Sequence, residues 1–341
     1  MYKIAIAGCG MVSDEWIKAV ESRTDCKISA LVTGSNLDNA KAKAEKYSLN
    51  AGVYLNLAEA IEKEGINLVF DLTPPECHYS TVTTALNMGC HVFGEKPLSD
   101  SLENAYKMVE SAEKTGKEYF VMQNRRYLPE LCGLVDFLRE GTLGEIGQLS
   151  ADFRLDPHFG GFREEMESPL IADMAIHTFD AARFISGKNP VSVYCKEFNP
   201  KWSWYNGSAN AICIFEMEDG VFFDYRGTWC ATGLITSWES EWKVSCEKGS
   251  AFWDGTNEAC YELTGDTVKT GLSGDDDIKA ELITIAKTPM PIIKHEACIK
   301  EMFDALNGGT RPQTDCRDNI KSIEMVQKAL ESSRTGNTVK L

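Results

Sequence analysis

Residues 3–20, KIAIAGCGMVSDEWIKAV, decide the fold. Lys3–Ala7 is a short apolar run and is predicted as a strand. Gly8-Cys9-Gly10-Met11-Val12-Ser13 follows it at once, and Asp14–Ser22 carries helical spacing. A strand that turns through glycines into a helix is suited to a pyrophosphate. The first glycine permits the tight turn, and the second lets backbone approach the anion. The third position needs a small residue, here Ser13 in place of glycine. The helix N-terminus adds free N–H groups and a positive dipole end. Glycines alone say little; their place between strand and helix carries the reading. Gly8, Gly10, Met11 and Val12 are therefore candidate contacts to a dinucleotide.

Working outward, the alternation continues to residue 122. Lys27–Val32, Leu68–Leu72, His91–Gly94 and Glu118–Met122 read as further strands. Asp38–Tyr47, Leu57–Glu64, Tyr79–Met88 and Leu102–Lys114 read as helices. Asn56 with Glu59 three residues on resembles a capping box. The strand cores are continuously apolar, as in strands covered on both faces. The expectation is α/β: a doubly wound parallel sheet over residues 1–123, then a second α/β domain over 124–341.

In that second half, Leu170–Ile185 is predicted as a helix. Val191–Phe198, Ala209–Met217, Val221–Trp229, Trp238–Cys246 and Ser250–Trp253 are predicted as strands. Asp219-Gly220 marks a hairpin between two of them. This implies a large open, mostly antiparallel sheet with a helix on one face. Thr264–Asp277 reads as a loop, with Asp275-Asp276-Asp277 a solvated tip. Helices return at Glu296–Leu306 and Arg317–Ser332.

Composition narrows the function classes. The chain has 341 residues and a formal net charge of −16. No basic cluster is present, so nucleic acid and anionic membrane surfaces are not expected partners. Its twelve cysteines are irregularly spaced, with no Cys-x-x-Cys pair, and read as free thiols. No charged-then-apolar leader and no apolar run of eighteen occur, so a cytoplasmic protein is expected. No metal site is expected, because no third ligand accompanies Asp173 and His177 and no His-Glu-x-x-His motif exists.

Several short motifs follow in order: Thr73-Pro74-Pro75, Glu95-Lys96-Pro97, Asn124-Arg125-Arg126-Tyr127, Gly144-Glu145-Ile146, and Asp173, His177 and Asp180 together. As an ordered set they resemble the Gfo/Idh/MocA family (glucose–fructose oxidoreductase, inositol 2-dehydrogenase, rhizopine catabolism). The resemblance covers nearly the whole chain. It implies a Rossmann domain, a C-terminal α/β domain, bound NAD or NADP, and a sugar, polyol or related cyclic alcohol or ketone as substrate. Ser13 and Ser168-Pro169 depart from the family pattern. The family's breadth leaves two rival activities open: elimination or glycoside hydrolysis with transient hydride transfer, and a non-catalytic dinucleotide sensor.

A nicotinamide dehydrogenase needs a base for the alcohol proton and a cation or donor for the oxygen. Lys96 follows a strand's carboxyl end, where open α/β sheets bind ligands. Asp173 and His177 are four apart on a predicted helix and share a face. The resemblance implies that His177 takes the proton, Asp173 positions it or the substrate, and Lys96 contacts the reacting oxygen. Thr73, Pro74, His78, Glu95 and Lys96 are added as cofactor-side candidates, with Glu95 suited to holding local structure or orienting a neighbour. Arg126 and His158 are added on the substrate side. Trp202, Trp204 and Tyr205 suit either a sugar face or sheet-edge packing. His91 reads as structural and His295 as incidental.

The second strand ends without the carboxylate that NAD-specific sites use for the ribose 2′-hydroxyl. Thr33, Ser35 and Asn36 follow instead, and Lys41 or Lys43 could add charge. NADP is therefore slightly favoured over NAD. The strand-rich second domain leaves one sheet face uncovered, so a dimer or tetramer through that sheet is expected.

Overall fold

The computed structural model describes residues 1–264 and 282–341. The predicted loop Thr264–Asp277, after its first residue, lies outside the described residues. Two compact units are present: Met1–Tyr127 with Ile292–Glu324, and Leu128–Pro291 with Met325–Leu341. The first unit thus takes in a stretch well beyond residue 123.

The first unit opens with β1 (Tyr2–Ala7), α1 (Ser13–Glu21), β2 (Cys26–Val32), α2 (Leu37–Lys46), β3 (Gly52–Tyr54) and α3 (Leu57–Glu64). It continues with β4 (Leu68–Asp71), α4 (Pro75–Asn87), β5 (His91–Gly94), α5 (Leu102–Thr115) and β6 (Tyr119–Val121). The six strands are parallel in the order β3-β2-β1-β4-β5-β6. Strand order reverses between β1 and β4, which is where such sheets bind ligands. Residues Ile4 to Ala7 are almost wholly buried, as expected for a strand covered on both faces. Asn56 caps α3 by accepting a hydrogen bond from Glu59 N at 3.0 Å, the first half of the expected box, while Glu59 Oε1 accepts from Lys63 Nζ at 2.6 Å. The short edge strand β3 was not foreseen.

An aromatic row crosses three strands. Phe70, Phe93 and Phe120 are register partners on β4, β5 and β6, with centroids 5.6 and 5.7 Å apart. Trp16 of α1 packs on Phe70 at 4.9 Å. Such contacts contribute about 0.5–1.5 kcal/mol each beyond area burial, and they set α1 firmly against the sheet.

The second unit begins with α6 (Pro129–Arg139), β7 (Ile146–Arg154), the short α7 (Phe162–Glu165) and α8 (Ala175–Ser186). Then come β8 (Pro190–Phe198), β9 (Asn210–Met217), β10 (Phe222–Thr228), β11 (Glu241–Cys246), β12 (Gly249–Trp253), β13 (Cys260–Leu263) and β14 (Ile283–Thr284). The chain closes with α9 (Lys294–Leu306), which belongs to the first unit, then α10 (Cys316–Thr335) and β15 (Val339–Lys340). Phe303 of α9 meets Phe93 edge-on at 5.2 Å.

Among the described residues the second sheet has nine strands, in the order β14-β13-β12-β11-β7-β10-β9-β8-β15. All its pairings are antiparallel except β7 with β10. The sequence reading assigned no strand to β7, the middle of this sheet. Its buried positions Leu149, Ala151 and Phe153 alternate properly, but Gly147, Gln148 and Ser150 dilute the apolar signal. Asp219 and Gly220 both take positive φ, 58° and 75°, and turn β9 into β10.

One face of this sheet is a core. Phe215, Phe223 and Trp242 stack across β9, β10 and β11, and Phe179 of α8 packs against Phe215 at 4.8 Å. Every residue of α8 is buried, including the polar His177, Thr178, Asp180, Arg183 and Ser186. The opposite face shows Tyr194, Ile212, Ile214 and Phe222 exposed.

Candidate functional site

In the first unit the candidates gather along one sheet edge. Gly8 takes φ 96°, and a Cβ there would sit 2.3 Å from Leu72 O. This glycine therefore serves close approach between the ends of β1 and β4. Gly10 differs: nothing lies within 4 Å of where its Cβ would be. Open space beside a backbone turn at a helix start fits a dinucleotide pyrophosphate. Ser13 is buried, and its hydroxyl donates to Gly10 O at 2.7 Å, so it fills the third-glycine position by bracing the turn. Met11 and Val12 are exposed on the same turn.

Lys43 closes the turn from behind. Its Nζ donates to Asp14 Oδ1 at 2.7 Å and to Gly10 O at 3.3 Å. The Lys43 ammonium beside Asp14 holds that carboxyl far below the usual carboxylate range. Lys43 thus braces the loop rather than adding charge toward a 2′-phosphate, which corrects that expectation. Asn36 is likewise committed: its Oδ1 caps α2 by accepting from Asp38 N at 2.8 Å. Thr33 is half-buried and Ser35 exposed at the carboxyl end of β2.

Thr73 and Pro74 follow β4, and Glu95 and Lys96 follow β5. Thr73 donates through N and Oγ1 to Asp71 Oδ1, at 3.2 and 2.6 Å. Pro74 leads into α4. Glu95 Oε1 accepts from Trp16 Nε1 at 2.7 Å, and Glu95 Oε2 from Lys96 N at 3.2 Å. Glu95 therefore ties the Lys96 segment to α1. His295 was read as incidental. Its Nε2 lies 3.9 Å from Glu95 Oε1, and its Nδ1 is 3.2 Å from Asn124 Nδ2. No local pattern could reveal this contact, because the residues lie far apart in sequence.

His78 and Arg126 are built into the first unit. Both ring nitrogens of His78 face backbone carbonyls inside the core, so the ring acts on the loops. Arg126 is 7 % exposed; its guanidinium donates to Gln313 O at 3.1 Å and to Asp318 Oδ2 at 3.4 Å. A buried guanidinium so engaged ties down the 313–318 segment. These two contacts of Arg126 stay within the first unit.

The second unit holds the other candidates. The predicted helix 170–185 is not regular: Leu170–Met174 is a π turn, with Ala175 N–H bonding Leu170 O. Asp173 lies in that turn and His177 in the first turn of α8. Single π turns are frequent at functional sites because they re-aim side chains. Asp173 Oδ2 accepts from Arg163 Nε at 2.7 Å. Arg163 lies over the rings of Phe159 and Phe162, 5.2 and 4.8 Å from their centroids. His177 is buried. Asp180, also buried, pairs with Arg183 at 3.8 Å, a structural contact one turn along.

The loop before α7 is heavily anchored. His158 stacks on Trp204 with centroids 3.8 Å apart. Pro157 O accepts from Trp204 Nε1 at 3.1 Å and from Tyr205 Oη at 2.7 Å. Trp204 and Tyr205 thus hold this loop, whereas Trp202 is 64 % exposed. Among the described residues no group of acidic, histidine or cysteine side chains is arranged to hold a metal. No described helix is long and apolar enough to cross a membrane.

Comparison with known proteins agrees with this geometry. Residues 2–123 match the model of an oxidoreductase family with an NAD-binding Rossmann fold, and residues 134–252 match the GFO/IDH/MocA C-terminal domain. The chain is 30 % identical to inositol 2-dehydrogenase 1 of Paenarthrobacter aurescens over 65 % of each chain. It is 25 % identical to D-apiose dehydrogenase of Paraburkholderia graminis over all of this chain and 90 % of that one. An oxidoreductase from Agrobacterium radiobacter, solved with NAD+, L-tartaric acid and magnesium, shares the fold. Its TM-score is 0.82 at 20 % identity, covering 99 % of this chain and 98 % of that one.

Proposed function

Since the chain belongs to the Gfo/Idh/MocA family of NAD-binding oxidoreductases, we propose that it transfers hydride between a nicotinamide dinucleotide and an alcohol carbon of a sugar, polyol or related cyclic compound. The observation that carries this reading is the turn at Gly8–Val12. It lies where strand order reverses, is open at Gly10, and opens a helix. The substrate class follows from relatives named for inositol and D-apiose.

Gly8, Gly10, Met11 and Val12, with the first amides of α1, would hold the pyrophosphate. Thr33 and Ser35 would face the adenosine ribose. Thr73, Pro74, Glu95 and Lys96 line the same edge. The bound nicotinamide supplies a two-electron acceptor for the hydride. Lys96 polarises the alcohol oxygen. As the carbonyl forms, His177 takes the hydroxyl proton, and Asp173 orients His177 or a substrate hydroxyl. His158 contributes from the loop before α7.

Residues 33–36 contain no carboxylate to repel a 2′-phosphate. The site therefore takes NADP(H) as well as NAD(H), with NADP(H) slightly the better ligand. The exposed apolar face carrying Tyr194, Ile212, Ile214 and Phe222 pairs with a second copy, giving a dimer or tetramer. All twelve cysteines are free thiols, which suits a reducing cytoplasm.

The deciding experiment follows nicotinamide absorbance on incubation with either cofactor and a panel of polyols, aldoses and glycosides. Net reduction with at least one alcohol is expected. Glycoside cleavage without net cofactor change would replace the dehydrogenase reading. Failure of both cofactors to bind would remove the reading altogether. Sedimentation equilibrium giving only a monomer at micromolar concentration would refute self-association.

A further inference from the structure

Segment 157–165 of the second unit keeps apolar rings in water. Phe162 is 67 % exposed, and Phe159 is exposed as well. Bonds on every side fix the segment in this form. Pro157 O accepts from Trp204 and Tyr205. Gly160 N donates to Glu164 Oε1 at 2.8 Å, and Asn206 N donates to Glu164 O at 2.8 Å. Ser208 N donates to Glu167 O at 2.8 Å. Between them, a Cβ at Gly207 would sit 2.1 Å from Met166 O, so the two backbones run in contact. Rings held in solvent by a fixed backbone mark a surface that something covers.

A second apolar segment stands beside the first. β7 and β10 are parallel neighbours, and both segments leave their carboxyl ends. Ala231 N donates to Leu155 O at 3.0 Å and Thr236 N to Arg154 O at 2.8 Å, which seats residues 231–236 along the start of the other loop. Trp238 follows, exposed, with its ring 6.4 Å from Phe159 and 6.3 Å from Phe153. Leu234 takes φ 48°, in the left-handed region that suits glycine, and is 92 % exposed. A leucine in that backbone and in open water adds nothing to the core of its own chain.

The rings adjoin a carboxylate. Arg163 lies over Phe159 and Phe162 while its Nε donates to Asp173. One guanidinium therefore separates an acceptor suited to a hydroxyl from rings suited to a C–H surface or another ring. Ligand sites commonly join a few polar groups to apolar walls in this way.

We propose that Phe159, Phe162, Leu234 and Trp238 form a subsite for an apolar group carried by the substrate, so that the preferred alcohol is a glycoside with an aryl aglycone. The subsite's link to the substrate rests on Asp173 being a substrate-side residue, as proposed above. A free polyol presents hydroxyls at every carbon and leaves these rings in water. An aryl aglycone covers them, and rings already fixed lose little freedom on contact.

Isothermal calorimetry of the full chain, with cofactor present, tests the subsite without turnover. The probes are the phenyl and methyl glycosides of glucose, galactose and xylose in both anomers, with the free sugars. At least one phenyl glycoside should bind about tenfold to a hundredfold more tightly than its methyl counterpart, the scale of burying one such ring. Phe162→Ser should remove most of that ratio, and Phe162→Leu should keep part of it. The side chain lies mostly in water, so the variants are expected to fold. Leu234→Ser, almost wholly exposed, is the second variant and should lower the ratio in the same direction.

The ratio is the readout because general loosening of the unit lowers both affinities together. The same ratio in kcat/KM should fall in the same variants. Methyl glycosides or free sugars binding as well as every phenyl glycoside would overturn the subsite, as would no binding by any phenyl glycoside. An unchanged ratio in folded Phe162→Ser and Leu234→Ser would do so too. If those variants instead lost self-association with the ratio intact, the patch would belong to a second copy and the subsite would fall. A chain that binds phenyl glycosides by this ratio yet reduces no cofactor with any alcohol would remove the dehydrogenase reading and leave the subsite standing.

Discussion

Arg163 Nε donates to Asp173 Oδ2 at 2.7 Å, with the guanidinium laid over Phe159 and Phe162. The pair joins the anchored loop at 156–165 to the π turn that opens α8. A charge-assisted contact of this length fixes one carboxylate oxygen of Asp173. Arg163→Gln should therefore lower kcat at least tenfold. Arg163→Lys should recover only part of it, because an ammonium lacks the planar fork and the ring stacking. Steady-state kinetics of the two variants check this; equal activity in both would show the contact to be incidental.

Lys96 and His177 carry the proposed proton and oxygen chemistry. His177→Ala should cost about 10²–10⁴ in kcat, the usual range for a lost general base. Its pH–rate profile should lose the limb that belongs to the base. Lys96→Met should abolish turnover while cofactor affinity, proposed above to reside in the turn at Gly8 and Gly10, changes only a few-fold. A Lys96→Met enzyme with full activity would remove Lys96 from the mechanism.

Asp14 and Lys43 give a pH prediction with a definite sign. The folded carboxyl is held below its unfolded value, chiefly by its hydrogen bond to Lys43. Stability from this pair is thus fully present above about pH 4 and is lost as pH falls below it. The Tm difference between wild type and Asp14→Asn should narrow from pH 5 to pH 2. The effect is small because the Asp14 side chain is 25 % exposed. Lys43→Met should weaken dinucleotide binding as well, since it releases Gly10 O. Calorimetry across that range is the check, and a gap that widens toward acid would contradict it.

Ser35 is exposed just beyond β2. Ser35→Asp should shift the NADP-to-NAD affinity ratio toward NAD by at least tenfold, through repulsion of the 2′-phosphate. Fluorescence titration with each cofactor measures the ratio. If it does not move, the 2′ contact lies elsewhere.

The first unit was the more legible part of the sequence. Runs such as Ile4–Ala7 and Leu68–Phe70 are buried on both faces, so their strands announce themselves as unbroken apolar stretches. β3 did not, because a three-residue edge strand has no period to detect. β7 was hidden because its outward positions are polar and its glycine weakens the pattern. Local spacing placed Asp173 and His177 together, yet could not show the π turn between them. Arg163 was invisible because its link to Asp173 spans a loop. The bond from Arg126 to the carbonyl of Gln313 was hidden for a related reason, since it spans most of the chain.

Gly8 and Gly10 stand two positions apart and constrain the chain in different ways. Gly8 is closed to every side chain by Leu72, whereas Gly10 has room for one. A deep mutational library would accordingly split the motif. Variants at Gly8 should drop out of a screen for folded protein. Gly10→Ala should pass that screen and drop out only when dinucleotide binding is selected. The tripeptide Gly8-Cys9-Gly10 thereby offers a handle for preparing a folded, cofactor-blind chain as a control for every assay of this enzyme.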